Sequence, residues 1–178
     1  MSWLSGQLEG WLGSARTLEA LAAILVGIPL LFGGFGSLMA GAISNRLLSR
    51  GGDVVRIRRL FAISGFTGAA ALLMASFYIK DPLLAMLSMG MASFCNDLTM
   101  PGSWTTCMDV GGKYAGTLSG TMNMAGNLGG VLSPIVIAYI LSQSNNNWAL
   151  TFYVSAAVYF AGIFFWLALD PVTMMEQE

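Results

Sequence analysis

Five stretches of this chain are apolar over nearly their whole length: Ala20 to Ile43, Leu60 to Ile79, Pro82 to Met108, Ala115 to Leu141 and Trp148 to Leu169. Each reaches the roughly 20 residues that a helix needs to cross about 30 Å of hydrocarbon. Only 10% of the residues are charged and mean hydropathy is +0.69, whereas an ordinary globular domain carries about 25% charged residues. Strands do not fit these runs. An open sheet edge cannot exist in lipid, and the alternation that a barrel needs is absent. The expected fold class is therefore an all-α integral membrane protein of about five transmembrane helices.

Charge placement orients the chain. Arg46, Arg50, Arg56, Arg58 and Arg59 follow the first run and Lys113 follows the third; Arg16 and Lys80 lie on the other side. Basic residues collect on the cytoplasmic face. This predicts a multi-pass protein of the plasma membrane with its N-terminus outside and the tail 170–178, "DPVTMMEQE", in the cytoplasm. The arginine cluster is accounted for by this topology.

The start of the chain, residues 1–19, has no basic region followed by a sustained apolar core, so a signal peptide does not explain the external start. Leu4, Leu8, Trp11 and Leu12 share one helical face. The segment fits an interfacial amphipathic helix or the end of a further span with its outer loop.

The fourth run contains an unusual stretch, "SGTMNMAGNLGG" from Ser119 to Gly130. Gly116 with Gly120, and Gly126 with Gly130, have the small-xxx-small spacing of close helix packing. At helical spacing Gly116, Gly120, Asn123, Asn127, Gly130 and Pro134 fall within roughly 40° of one line. An amide facing lipid would lose its hydrogen bonds, so this stripe is expected to face protein or water. Interhelical bonding and cavity lining both satisfy that condition for Asn123 and Asn127.

In the third run, "SFCNDLTMPGSW", the residues Ser93, Asp97, Pro101 and Trp104 share a face with Gly90. An acid at the depth of Asp97 costs roughly 2.5 to 3.5 kcal/mol on insertion scales. It is a candidate for a substrate-path or proton-linked role; the alternative is a buried carboxyl paired with Asn96 or with an amide on a neighbouring helix. Pro101 and Gly102 interrupt the backbone ladder beside Trp104, which offers an apolar face and one N–H donor.

Several kinds of chemistry are set aside. The chain has no His, its two cysteines lie apart on one apolar helix, and no group has metal-ligand spacing. No Ser is paired with a candidate base, and the glycines lie inside helices, not in phosphate loops. No enzyme, cofactor or metal is expected, and a net charge of -1 argues against nucleic acid as a partner.

Two motifs carry a family resemblance. "GSLMAGAISNRLLSRGG", Gly36 to Gly52, resembles the cytoplasmic loop signature of the major facilitator superfamily. Gly41, Arg46 and Arg50 match, and Asn45 stands where the family usually has aspartate, so the charge of a gating latch is missing there. The stretch Ser103 to Leu141 looks like the tenth and eleventh helices of the anion:cation symporter family within that superfamily. Trp104, Asp109, Lys113, Ala115, Gly116, Gly120, Asn123, Gly126, Asn127 and Pro134 match in order.

That resemblance implies helices eight to twelve of a major facilitator fold, with residues 1–19 as a remnant of helix seven. It also implies a transporter of organic anions such as sugar acids, commonly with protons, whose two six-helix bundles rock about a central site. The chain would supply one wall of that site through Trp104, Ser103, Thr105, Asn123 and Asn127. The N-terminal six-helix half would be the partner, and would hold the countercharge for the anion. An inactive truncated fragment and a small dimerising membrane subunit remain as alternatives.

Overall fold

The structure, a computed structural model, describes residues 27–173. The segment 1–19, the first part of the first run (20–26) and residues 174–178 of the tail lie outside the described residues.

Every element among the described residues is a helix, and their boundaries have local causes. α1 is described over Gly27–Ser49. It stops because Gly51 takes a φ of 84°, which only glycine adopts cheaply. The Gly51 and Gly52 amides then donate to the carbonyls of Leu48 and Leu47, each at 3.0 Å, satisfying the last turn in a Schellman motif. Asp53 follows as N-cap, accepting from the Arg56 amide at 3.2 Å, and α2 runs Val54–Tyr78.

Helix α2 therefore begins before Leu60, the sequence-based start of the second span. Arg56, Arg58 and Arg59 stand in its first two turns, not in a loop. The capping pair Gly52 and Asp53 outweighs hydropathy in setting this end.

Asp81 caps the next helix, its carboxylate accepting from the Leu84 amide at 2.9 Å with Pro82 in the first turn. The third run then splits into α3, Pro82–Asp97, and α4, Met100–Gly111. Leu98 and Thr99 form the break, since Pro101 has no N–H to continue the ladder. Asp97 is consequently the last residue of a helix.

Gly112, at a φ of 48°, and a short 3-10 turn over Gly112–Tyr114 reverse the chain into α5, Ala115–Gln143. Asn145 and Asn146, both left-handed at φ 53° and 61°, reverse it again into α6, Trp148–Ala168. With such short connections, successive passes are antiparallel neighbours.

Helix α2 is the centre of the packing. Its buried residues Arg58, Ala62, Gly65 and Ala69 recur at spacings of three and four, so one narrow face meets α3 and α6. Close packing between apolar helices depends on such small residues. A Cβ on Gly65 would stand 2.6 Å from the Cys95 carbonyl oxygen, which shows how near the two backbones come.

Helix α5 is the opposite case. None of its residues is buried, and a groove of about 600 Å3 separates it from α6 along Gly129, Ser133, Thr151 and Ser155.

Candidate functional site

The α5 stripe lies open. Asn123 and Asn127 are exposed, and the Asn127 amide donates to the Asn123 carbonyl at 2.9 Å and to its side-chain oxygen at 3.4 Å. No atom of the described residues comes within 4 Å of a Cβ built on Gly116, Gly120, Gly126 or Gly130. The packing expected at these glycines is therefore not made within the described residues. Pro134, inside the same helix, removes the donor that the Gly130 carbonyl would otherwise have.

By helical position, this stripe lies roughly 120° round from Met122, whose sulfur touches Cys107 of α4 at 3.5 Å. Met122 marks the side of α5 that meets the bundle, so the amides and glycines are turned away from it.

The three α4 residues expected to act together are divided. Ser103 faces inward, lining an apolar cavity of about 280 Å3 with Thr106, Cys107, Met122, Phe165 and Trp166. Its hydroxyl donates to the Thr99 carbonyl at 3.1 Å, as Thr105 does to Pro101 at 2.8 Å. Both donors are thus committed to their own helix. Trp104 and Thr105 are exposed, Trp104 at 37%. Pro101, which approaches Gly41 of α1, and Cys107, which reaches Met122 of α5, lie three residues either side of Trp104. The indole thus opens between α1 and α5.

The face that carries Gly90, Ser93, Asp97 and Pro101 is not an open cavity wall. α1 covers it. A Cβ on Gly90 would be 3.2 Å from Ile28 and 3.4 Å from Phe32, and one on Gly41 would be 3.9 Å from Pro101. At Gly36 an added Cβ would overlap the Phe94 carbonyl, and at Gly33 the carboxylate of Asp97. Ser37 donates to the Asp97 carbonyl at 3.3 Å, and the Asn96 amide donates to Asp97 Oδ1 at 2.8 Å. The acid is half-buried, beside an amide on its own helix and against the backbone of α1.

In the loop motif, Gly41 is half-buried whereas Asn45, Arg46 and Arg50 are exposed. None of the last three enters a salt bridge among the described residues.

Apart from the exposed pair of Arg56 with Asp53, the charged contact on this side is a part-buried one. Arg58 of α2, its side chain 7% exposed, pairs with Asp109 of α4, 52% exposed. Its other terminal nitrogen donates to the Pro171 carbonyl at 2.8 Å, and Arg59 donates to the Leu169 carbonyl at 2.9 Å. The cluster therefore does more than orient the chain: two of its members hold the end of α6. Reading Gly52 and Asp53 as a helix stop and a cap would have exposed this role. It places Arg58 in register with Ala62, Gly65 and Ala69, the packed face.

A family model described as Major Facilitator Superfamily matches residues 4–134. The chain belongs to this superfamily. It is a multi-pass membrane protein, and the relatives of this major facilitator chain include proteins named as probable anion transporters. One relative is a probable sulfoacetate transporter of Cupriavidus necator, 27% identical over 177 residues, covering 99% of this chain and 40% of that protein. Another is a chloroplastic ascorbate transporter of Arabidopsis thaliana, 32% identical over 128 residues, covering 72% of this chain and 23% of that protein. A third is the chloroplastic sodium-dependent phosphate transport protein 1 of Arabidopsis thaliana, 31% identical over 126 residues, covering 71% and 24%. The chain spans less than half the length of each of these relatives.

Proposed function

We propose that this chain forms the C-terminal part of a secondary active transporter that takes up an organic anion, a sugar acid or related carboxylate, together with a proton. A six-helix N-terminal half completes it, and the two parts alternate access about a site between them. It resides in a bacterial inner membrane, with the N-terminus outside and the C-terminus in the cytoplasm. The family membership and the anions named for its relatives support this class.

One observation carries the reading of the site. The two asparagines of α5 are exposed and the indole of α4 is 37% exposed, although lipid would leave the Asn123 amide nitrogen and the Asn127 side-chain oxygen without partners. A water-filled path between two halves resolves that conflict. Asn123, Asn127 and Trp104 form its wall, Thr105 adds a hydroxyl acceptor, and Ser103 supports them from behind. Arg58 is committed to Asp109 and Pro171, so the countercharge for the anion comes from the N-terminal half. Asp97 is the acid of the proton path.

The experiment is uptake by the assembled transporter. Asn123→Ala and Trp104→Ala abolish uptake at an unchanged membrane level; normal uptake by both removes the site assignment. Asp97→Asn flattens the dependence of uptake on external pH, and an unchanged profile removes Asp97 from proton coupling.

The small-xxx-small pairs of α5, Gly116 with Gly120 and Gly126 with Gly130, are open and also favour a second reading, a small subunit that dimerises through this face. Crosslinking of a cysteine at Gly120 to its copy in a second chain would select that reading.

A further inference from the structure

The α1 glycines differ in what they admit, and the difference bears on Asp97. At Gly36 the nearest atoms are all backbone of Phe94. A side chain there would force α1 and α3 apart. At Gly33 the overlapping atom is Asp97 Oδ2, the next is Asp97 Cγ at 3.2 Å, and backbone appears only at the Ser93 carbonyl, 3.8 Å away. The space above Gly33 is therefore filled by one carboxyl group and little else. Gly34, next along the helix, has nothing within 4 Å.

Asp97 is held at two further points, one on its own helix and one a turn along α1 from Gly33. Its Oδ1 accepts from Asn96 and its carbonyl accepts from Ser37. As the last residue of α3, it follows a rigid helix and precedes the Leu98–Thr99 break. Its backbone is thus anchored, and the direction of its carboxyl is set by the Asn96 amide on Oδ1 and by what α1 presents to Oδ2.

We infer that Gly33 is the positioning residue for Asp97: the missing side chain at Gly33 is a slot that takes Oδ2 and keeps the carboxyl turned onto α1, out of the space beside Trp104. This rests on the reading of Asp97 as the acid of the proton path. A methyl group in the slot re-aims the carboxyl without separating the helices, because the atom that must yield is the end of a side chain.

The test uses the 178-residue chain in membranes, with dicyclohexylcarbodiimide as probe and Asp97 modification read by peptide mass spectrometry. Gly33→Ala turns the carboxyl out and raises its modification rate several-fold; Gly34→Ala leaves the rate unchanged. Equal rates in the parent and Gly33→Ala, at equal membrane level, overturn the proposal. If Gly33→Ala fails to accumulate, the double variant Gly33→Ala with Asp97→Ala decides. Recovery shows that the carboxyl alone occupied the slot, and no recovery overturns the proposal. An unchanged uptake profile in Asp97→Asn would end the proton reading while leaving these labelling results intact, so the two failures are distinguishable.

Discussion

The guanidinium of Arg58 reaches two elements at once, the Asp109 carboxylate on α4 and the Pro171 carbonyl beyond α6. Basic residues in the first turns of a helix oppose its dipole, so a buried arginine there needs compensation. Asp109 supplies the charge and Pro171 a second acceptor. The arginine fork spans both, which a lysine ammonium on its single head does not reproduce. Hydrogen bonds to charged groups contribute about 1.5 to 3 kcal/mol.

Arg58→Ala and Asp109→Ala should therefore each destabilise the bundle by about 2 kcal/mol, with Arg58→Lys recovering only part. Arg56, 88% exposed and 3.6 Å from Asp53, serves as the control. Its replacement by Ala should change little, as for most surface pairs. Melting of the detergent-solubilised protein measures both, and strict additivity of the Arg58 and Asp109 variants would show that the pair is uncoupled.

The glycines divide into two sets with opposite expected behaviour. Gly65→Ala brings a methyl group to 2.6 Å from the Cys95 carbonyl and should lower stability and membrane level sharply, because backbone must move. Gly116→Ala and Gly120→Ala meet nothing among the described residues and should raise the stability of the isolated chain, by up to about 1 kcal/mol each from helix propensity. In the assembled transporter the same two changes should lower uptake if another helix approaches that face. Equal tolerance at all three positions in the isolated chain would contradict the packing around Gly65.

Gly51 holds the turn between α1 and α2 at a φ of 84°. An alanine there costs about 1 to 2 kcal/mol, and Gly51→Ala should lower the melting temperature accordingly. Arg50→Ala beside it should not. Equivalent melting of Gly51→Ala and the parent would show that another turn replaces the Schellman motif.

The tail carries a small pH dependence. The Thr173 hydroxyl donates to Asp170 at 2.6 Å, and this bond, with amide bonds from Val172 and Thr173 and the nearby Arg59 charge, holds the carboxyl below its ordinary value. A lowered value means the turn is supported by ionised Asp170 above the usual aspartate range, near pH 4, and loses that support as pH falls through the lowered value. Amide exchange at Val172 and Thr173 should lose protection below that point, and Asp170→Asn should remove the dependence. Identical acid profiles for the two proteins would assign the protection to another group.

The sequence is most informative where one residue suffices to decide an outcome. Gly51, Asp53, Asp81 with Pro82, and Gly112 each end or begin a helix by their own chemistry, and α2 extends ahead of its apolar run because Gly52 and Asp53 set its start. The amphipathic stripe of Asn123 and Asn127 was legible as well, since helical spacing alone places it on one face. The division of Ser103 from Trp104 was not legible. Two adjacent residues on a helix point about 100° apart, and a list of neighbours cannot say which direction is covered.

What the sequence determined by itself is the solvent and the helical class: a backbone in hydrocarbon must satisfy its own hydrogen bonds, so long apolar runs have no option but helix. Which faces those helices cover was decided only in the tertiary structure. The glycines of α1 and α2 look no different in sequence from those of α5, yet Gly33, Gly36 and Gly65 meet neighbouring atoms while Gly116 and Gly120 meet none. Apolar side chains gain little by choosing another helix over lipid. The choice is therefore made by close approach and by a few polar groups, Asp97 against α1 and Arg58 against Asp109, whose partners are remote in the chain.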